Sequence, residues 1–87
     1  MTDKVLKFHA KWCGPCQALN MALLNEDVGV EIEGVDVDAN PELAVQYRVR
    51  GVPTLIYLRD DQEIARKVGG SSLEEVKIWV DMTKEGV

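Results

Sequence analysis

Two cysteines three residues apart, Cys13 and Cys16, bracket Gly14-Pro15 and constrain this chain more than any other feature. Before them, residues 4–10 carry Val5, Leu6 and Phe8 in a segment apolar enough for a central strand. After them, Leu19, Ala22 and Leu23 are spaced to face a core from a helix running from about Pro15 to Asn25. Pro15 suits the first turn of that helix, where a missing N–H is harmless and φ is preset. The chain therefore turns from strand to helix at the cysteines. Residues i and i+3 lie about 5–6 Å apart on one helix face, compatible with the Cα separation of an unstrained disulfide. The helix N-terminus adds unpaired N–H groups and about half a positive charge, both favouring a thiolate at Cys13.

The cysteine count narrows the chemistry. Two cysteines are too few for a disulfide-stapled miniprotein. A structural zinc site needs four ligands, and His9 is the one further nitrogen candidate, so no metal is expected. Covalent haem attachment needs His after the second cysteine, where this chain has Gln17. A redox pair or two ordinary buried thiols remain. Charge bears on the choice. The total of −5 disfavours nucleic acid and anionic membrane as partners, yet residues 1–16 hold three lysines (Lys4, Lys7, Lys11) against Asp3. Cations near the pair favour a thiolate. No apolar run reaches the roughly 20 residues of a membrane-spanning helix. Met1-Thr2-Asp3-Lys4 leads into the first strand without a signal-peptide block, so a cytoplasmic protein is expected.

The rest of the 87 residues reads as one domain, residues 1–87, of α/β class. Val30, Ile32, Val35 and Val37 mark a second strand over 30–37, whose alternation changes phase at Gly34. A bulge there, or burial on both faces, accounts for the change. Asn40-Pro41 caps and opens a short helix through about Tyr47. Thr54 to Arg59 and Glu63 to Val68 form an antiparallel hairpin about Asp60-Asp61-Gln62. Gly69-Gly70 ends it. Ser71 to Glu75 offers two overlapping capping-box registers for a last helix presenting Leu73, Val76, Trp79, Val80 and Thr83 on one face. A short strand–helix–strand crossover plus a hairpin predicts a mixed four-stranded sheet flanked by three helices.

Trp12-Cys13-Gly14-Pro15-Cys16 resembles the active-site motif of the thioredoxin family. Phe8, Ala10, Asp38, Asn40 and Pro41 also match, as do Arg50-Gly51-Val52-Pro53-Thr54 and Lys67-Val68-Gly69, so the resemblance spans about residues 5 to 82. It implies a thioredoxin-like fold and a protein disulfide oxidoreductase that binds no cofactor beyond its own Cys13–Cys16 disulfide. Electrons would come indirectly from NADPH through a reductase. Cys13 would attack a substrate disulfide and Cys16 would resolve the mixed disulfide. Pro53 would be a cis-proline against the pair. Trp12, Gly14, Pro15, Val52, Val68 and Gly69 would form the apolar docking surface.

Two departures from the family pattern stand out. The resemblance implies an extra strand and helix before the first strand, where this chain has Met1 to Lys4. The strand at 30–37 is then a sheet edge, with Glu31, Glu33 and Asp36 opposing edge pairing, and a monomer is expected. Lys7 occupies the place of the family's buried carboxylate, and Gly34 that of its basic partner. Lys7 either snorkels its amine to water or, near the cysteines, tunes the thiolate, and His9 is either a packed strand histidine or the nearest titratable substitute base. Gly69-Gly70-Ser71-Ser72 leaves a glutaredoxin-like, glutathione-fed protein as one alternative. A non-catalytic interaction module is another.

Overall fold

The computed structural model describes residues 1–86. Its elements follow one another as β1 (Asp3–His9), α1 (Gly14–Leu23), β2 (Glu31–Asp36), α2 (Pro41–Gln46), β3 (Thr54–Arg59), β4 (Gln62–Val68) and α3 (Leu73–Gly86). The four strands form one sheet in the order β2-β1-β3-β4. β1 runs parallel to β2 and antiparallel to β3, and β3 and β4 form the hairpin. This is the mixed sheet expected from the element order.

The central strands are apolar because both their faces are covered. On one face, Val5, Leu55 and Tyr57 pack with Leu19 and Leu23 of α1 and Val76 and Val80 of α3. On the other, Leu6, Phe8, Val35, Ile56 and Leu58 pack with Leu43 and Tyr47 at α2. Successive strand side chains point to opposite faces, so a strand between two helical layers has no polar side. The phase change in the second strand has the same cause. Ile32 packs toward the α1/α3 layer and Val35 toward the α2 layer, and the register with β1 runs unbroken from Lys4↔Glu31 to His9↔Asp36. No bulge forms at Gly34. The irregularity falls instead between Tyr57 and Leu58, where Ala65 and Glu63 are the partners and Ile64 is passed over.

Several boundaries differ from those expected, each for a local reason. The first strand spans 3–9, because Asp3 is drawn into the sheet by Arg59 Nε and Nη2 at 2.9 and 2.8 Å and by the Tyr57 hydroxyl. α1 begins at Gly14 and stops at Leu23, with Leu24 extended and Asn25 at φ 61°, so Asn25 does not belong to it. β2 and α2 are shorter by a residue or two than predicted. The hairpin loop is two residues, Asp60 and Asp61, both at positive φ as a primed turn requires. Gln62 is already strand. Asn40 precedes α2 but does not cap it; its side-chain amide donates backwards to the Asp36 carbonyl at 3.2 Å. At α3 the second capping register is taken. The Glu75 N–H donates to Ser72 Oγ at 3.1 Å, and the Ser72 N–H donates to Glu75 Oε1 at 2.9 Å.

β2 lies at the sheet edge with Glu31 and Glu33 exposed. Asp36 is not a third guard. Its carboxylate accepts from the Asp38 N–H at 2.9 Å and so shapes the turn into α2.

Candidate active site

β1 delivers the chain to the cysteines and α1 starts immediately after the first of them. Cys13 is the residue capping α1, and its Sγ accepts from the Cys16 backbone N–H at 3.1 Å. A sulfur in that position receives one of the N–H groups a helix start leaves unpaired, along with the positive end of the helix dipole. Cys13 and Cys16 are disulfide-bonded, their Cα atoms 5.2 Å apart. Both cysteines are buried, Cys16 at 1% exposure and Cys13 at 5%. Both pack with Ala10, Val37 and Val52.

A second segment closes over the pair. The Val52–Pro53 peptide bond is cis, and the Val52 carbonyl oxygen lies 3.6 Å from Cys13 Sγ. Thr54 Oγ1 donates to the Gly51 carbonyl at 2.7 Å, fixing this loop from the strand side. The Gly69 N–H donates to the Pro53 carbonyl at 2.9 Å, with Gly69 at φ 95°, a conformation that favours glycine. The end of β4 is thereby tied to the proline loop. Gly70 approaches from the same side, where an added Cβ would stand 3.7 Å from that of Pro15.

Around the sulfurs the surface is apolar and open. Trp12 is 71% exposed and Val68 68%, and Gly14 and Pro15 are also exposed. Trp12 does not float freely. Its Nε1–H donates to Asp38 Oδ2 at 2.9 Å, across 26 residues of sequence. A groove of about 260 Å³ runs from Trp12 to Val52, between the cysteine segment and the end of α2.

Trp12, Cys13, Gly14, Pro15, Cys16, Val52, Pro53, Val68 and Gly69 thus come from three separate segments to one end of the sheet. Lys7 and His9 lie further back on β1. Gly34 opposes Lys7 in the register, and a Cβ there would meet His9 Nε2 at 3.3 Å and Lys7 Cε at 4.0 Å. Both side chains occupy the room that Gly34 leaves. Lys7 also lines a cavity of about 370 Å³ with Asn20, Leu23, Leu24, Glu26 and Ile32, and neither cysteine borders that cavity. Burial pushes the Lys7 ammonium below its usual range. Asp38, Thr54 and Arg50 were not singled out as site residues by sequence reasoning. Asp38 meets Trp12 across 26 residues, Arg50 lines the groove and Thr54 binds Gly51 three residues away; the motif matches include all three but assign none of them a role.

A disulfide at a helix start, bordered by the exposed apolar Trp12 and Pro15, suits exchange with a second disulfide. Comparison with known proteins agrees. Residues 1–82 match the family model for thioredoxin. The chain belongs to the thioredoxin family. It is similar to the thioredoxin of Chlamydia trachomatis, with 44% identity over 68 residues, covering 75% of this chain and 67% of that protein. A Staphylococcus aureus thioredoxin is 38% identical over 84 residues, covering 90% and 79%. Among solved structures, a point-mutant thioredoxin from Halobacterium salinarum superposes with a TM-score of 0.86 at 36% identity, covering 98% of this chain and 77% of that one. The thioredoxin-like fold expected from the motifs is therefore the fold observed, and the chain is a thiol–disulfide oxidoreductase acting on protein disulfides. Thioredoxin-family chemistry runs on such a redox-active disulfide without an external cofactor. No helix among the described residues is long and apolar enough to cross a membrane.

Proposed function

We propose that this protein reduces protein disulfides with Cys13 as nucleophile and Cys16 as resolving thiol. One observation carries the assignment: Cys13 Sγ receives the Cys16 N–H at the start of α1 while Cys16 is the more buried sulfur. The Cys13 thiolate attacks one substrate sulfur, forming a mixed disulfide and expelling the other sulfur as a thiolate that takes up a proton. Cys16, deprotonated, then attacks Cys13 Sγ. The second substrate thiol leaves, and two electrons have passed to the substrate as Cys13–Cys16 closes. Trp12, Gly14, Pro15, Val52, Pro53, Val68 and Gly69 provide the docking surface, which is supported by their exposure or contact around the sulfurs.

The proposal extends to supply and setting. A thioredoxin reductase drawing on NADPH recharges the disulfide, in the cytoplasm, and the protein works as a monomer. The family match favours this over recharging by glutathione, and NADPH consumption with each reductase system in turn distinguishes the two. The test of the cysteine roles is trapping. Cys16→Ser, reduced and mixed with a protein disulfide, is expected to stop as a stable mixed disulfide, whereas Cys13→Ser forms none. A mixed disulfide carried by Cys16 instead would reverse the roles.

Lys7 and His9 are proposed as a tuning pair, supported by their adjacency over Gly34 beneath α1. Equilibration of wild type and Lys7→Asp against glutathione measures it. An unchanged reduction potential removes Lys7 from the proposal and leaves it a packed strand residue.

A further inference from the structure

We infer that Arg50 makes this protein selective for acidic substrate segments, by pairing with a carboxylate beside the disulfide being reduced. The inference rests on the proposed docking of substrate next to Cys13. The groove there is walled by Trp12, Val37, Ala44, Val49 and Val52, and Arg50 is the charged residue among those lining it. Its Val52 wall reaches the active-site pair, with Val52 O 3.6 Å from Cys13 Sγ.

Arg50 is exposed, and among the described residues its side chain has no hydrogen-bond or ion-pair partner. Three other cations on the sheet are engaged: Arg59 by Asp3, Arg66 by Glu63 and the Tyr47 carbonyl, Lys4 by Glu33. Asp38 accepts from the Trp12 indole and, among the described residues, forms no ion pair with Arg50. A guanidinium without a partner beside apolar walls matches a carboxylate flanking a substrate cysteine, because its planar fork binds that group bidentately. The molecule's net charge of −5 works against an acidic partner. That opposition is a long-range effect, and at physiological salt charges beyond roughly 8 Å are largely screened. The local contact wins.

The experiment is single-turnover reduction by stopped flow, with the pre-reduced full chain and two peptide disulfides identical except for Glu or Lys residues flanking one cysteine. Wild type is expected to reduce the acidic peptide about fivefold faster at low salt, the scale of one favourable exposed ion pair, with the ratio shrinking as salt rises. Arg50→Ala brings the ratio to about one, Arg50→Lys keeps part of it and Arg50→Glu inverts it. An acidic preference that survives in Arg50→Ala, or equal rates for both peptides with wild type, overturns the inference. Wild-type reduction of a protein disulfide in the same assay separates the two readings. If it proceeds while the peptides react alike, the selectivity fails and the proposed function stands. If it does not proceed, the proposed function fails and the selectivity falls with it.

Discussion

Lys7 and Asp3 occupy the same strand and are treated in opposite ways by their surroundings. Lys7 shares its face of β1 with Val5, toward α1, and burial lowers its ammonium from the ordinary 10.5. An ammonium so lowered holds its proton less readily folded than unfolded. Its charge therefore costs stability at neutral pH, and the cost is relieved as pH rises through the lowered value toward 10.5. Lys7→Met is expected to raise the melting temperature at pH 7, with the gap to wild type narrowing by about pH 10. A gap independent of pH would discount burial of the charge as the cause. Asp3 behaves inversely. Hydrogen bonds from Arg59 and then Tyr57 hold its carboxyl far below the ordinary 3.8. Its contribution is present above that ordinary value and is lost as pH falls toward the folded one. Asp3→Asn should unfold at a higher pH on acid titration, and an identical acid midpoint would count against it.

Element boundaries show where sequence runs short of structure. Ser71 and Ser72 each stand three residues before a glutamate, and no local signal ranks the two capping boxes. Docking of Val76 and Val80 against the sheet fixes the helix phase, and Ser72 then meets Glu75. Ser71 Oγ is left buried without a partner among the described residues. Ser72→Ala is accordingly expected to cost about 1 kcal/mol, the usual worth of a lost cap. That corresponds to roughly 4–8 °C in melting temperature for a domain this size. Ser71→Ala should be neutral or slightly stabilising, because it removes an unpaired hydroxyl. Equal losses at both positions would mean that the helix start is not fixed as described. Strand identities were legible from apolar periodicity, and β3 was read to the residue. Its apolar run ends at Arg59 before two residues that adopt positive φ. At Gly34 a strand covered on both faces and a bulged strand give the same break in alternation, and the unbroken register with β1 decides for coverage on both faces.

At the scale of the molecule, the Cα radius of gyration is 12.1 Å, close to the roughly 12 Å of a compact chain of this length. The sheet leaves β2 and β4 at its edges, and β2 presents Glu31 and Glu33 to solvent. Two copies pairing β2 edge to edge would bring these like charges together. Sedimentation equilibrium is expected to return 9.7 kDa across concentrations at moderate salt. A dimer abolished by substitutions in β2 would show that the acidic edge does not guard the sheet.

Local covalent order by itself determined the reactive pair. A Cys-Gly-Pro-Cys turn between an apolar strand and an amphipathic helix places two sulfurs on one helical face whatever else the chain does. Sequence also determined which segments are strand and helix, because their periodicity is a property of neighbouring residues. The neighbours of the sulfurs were decided by tertiary structure alone. Asp38 under the Trp12 indole, Gly69 bound to the Pro53 carbonyl, and Arg50 beside the groove are brought together from distant parts of the chain. They meet because the sheet order β2-β1-β3-β4 carries four loops to one end. Where Lys7 goes was settled the same way. A lysine's flexible stem takes whatever space its neighbours leave, and Gly34 and the cavity along α1 leave it there.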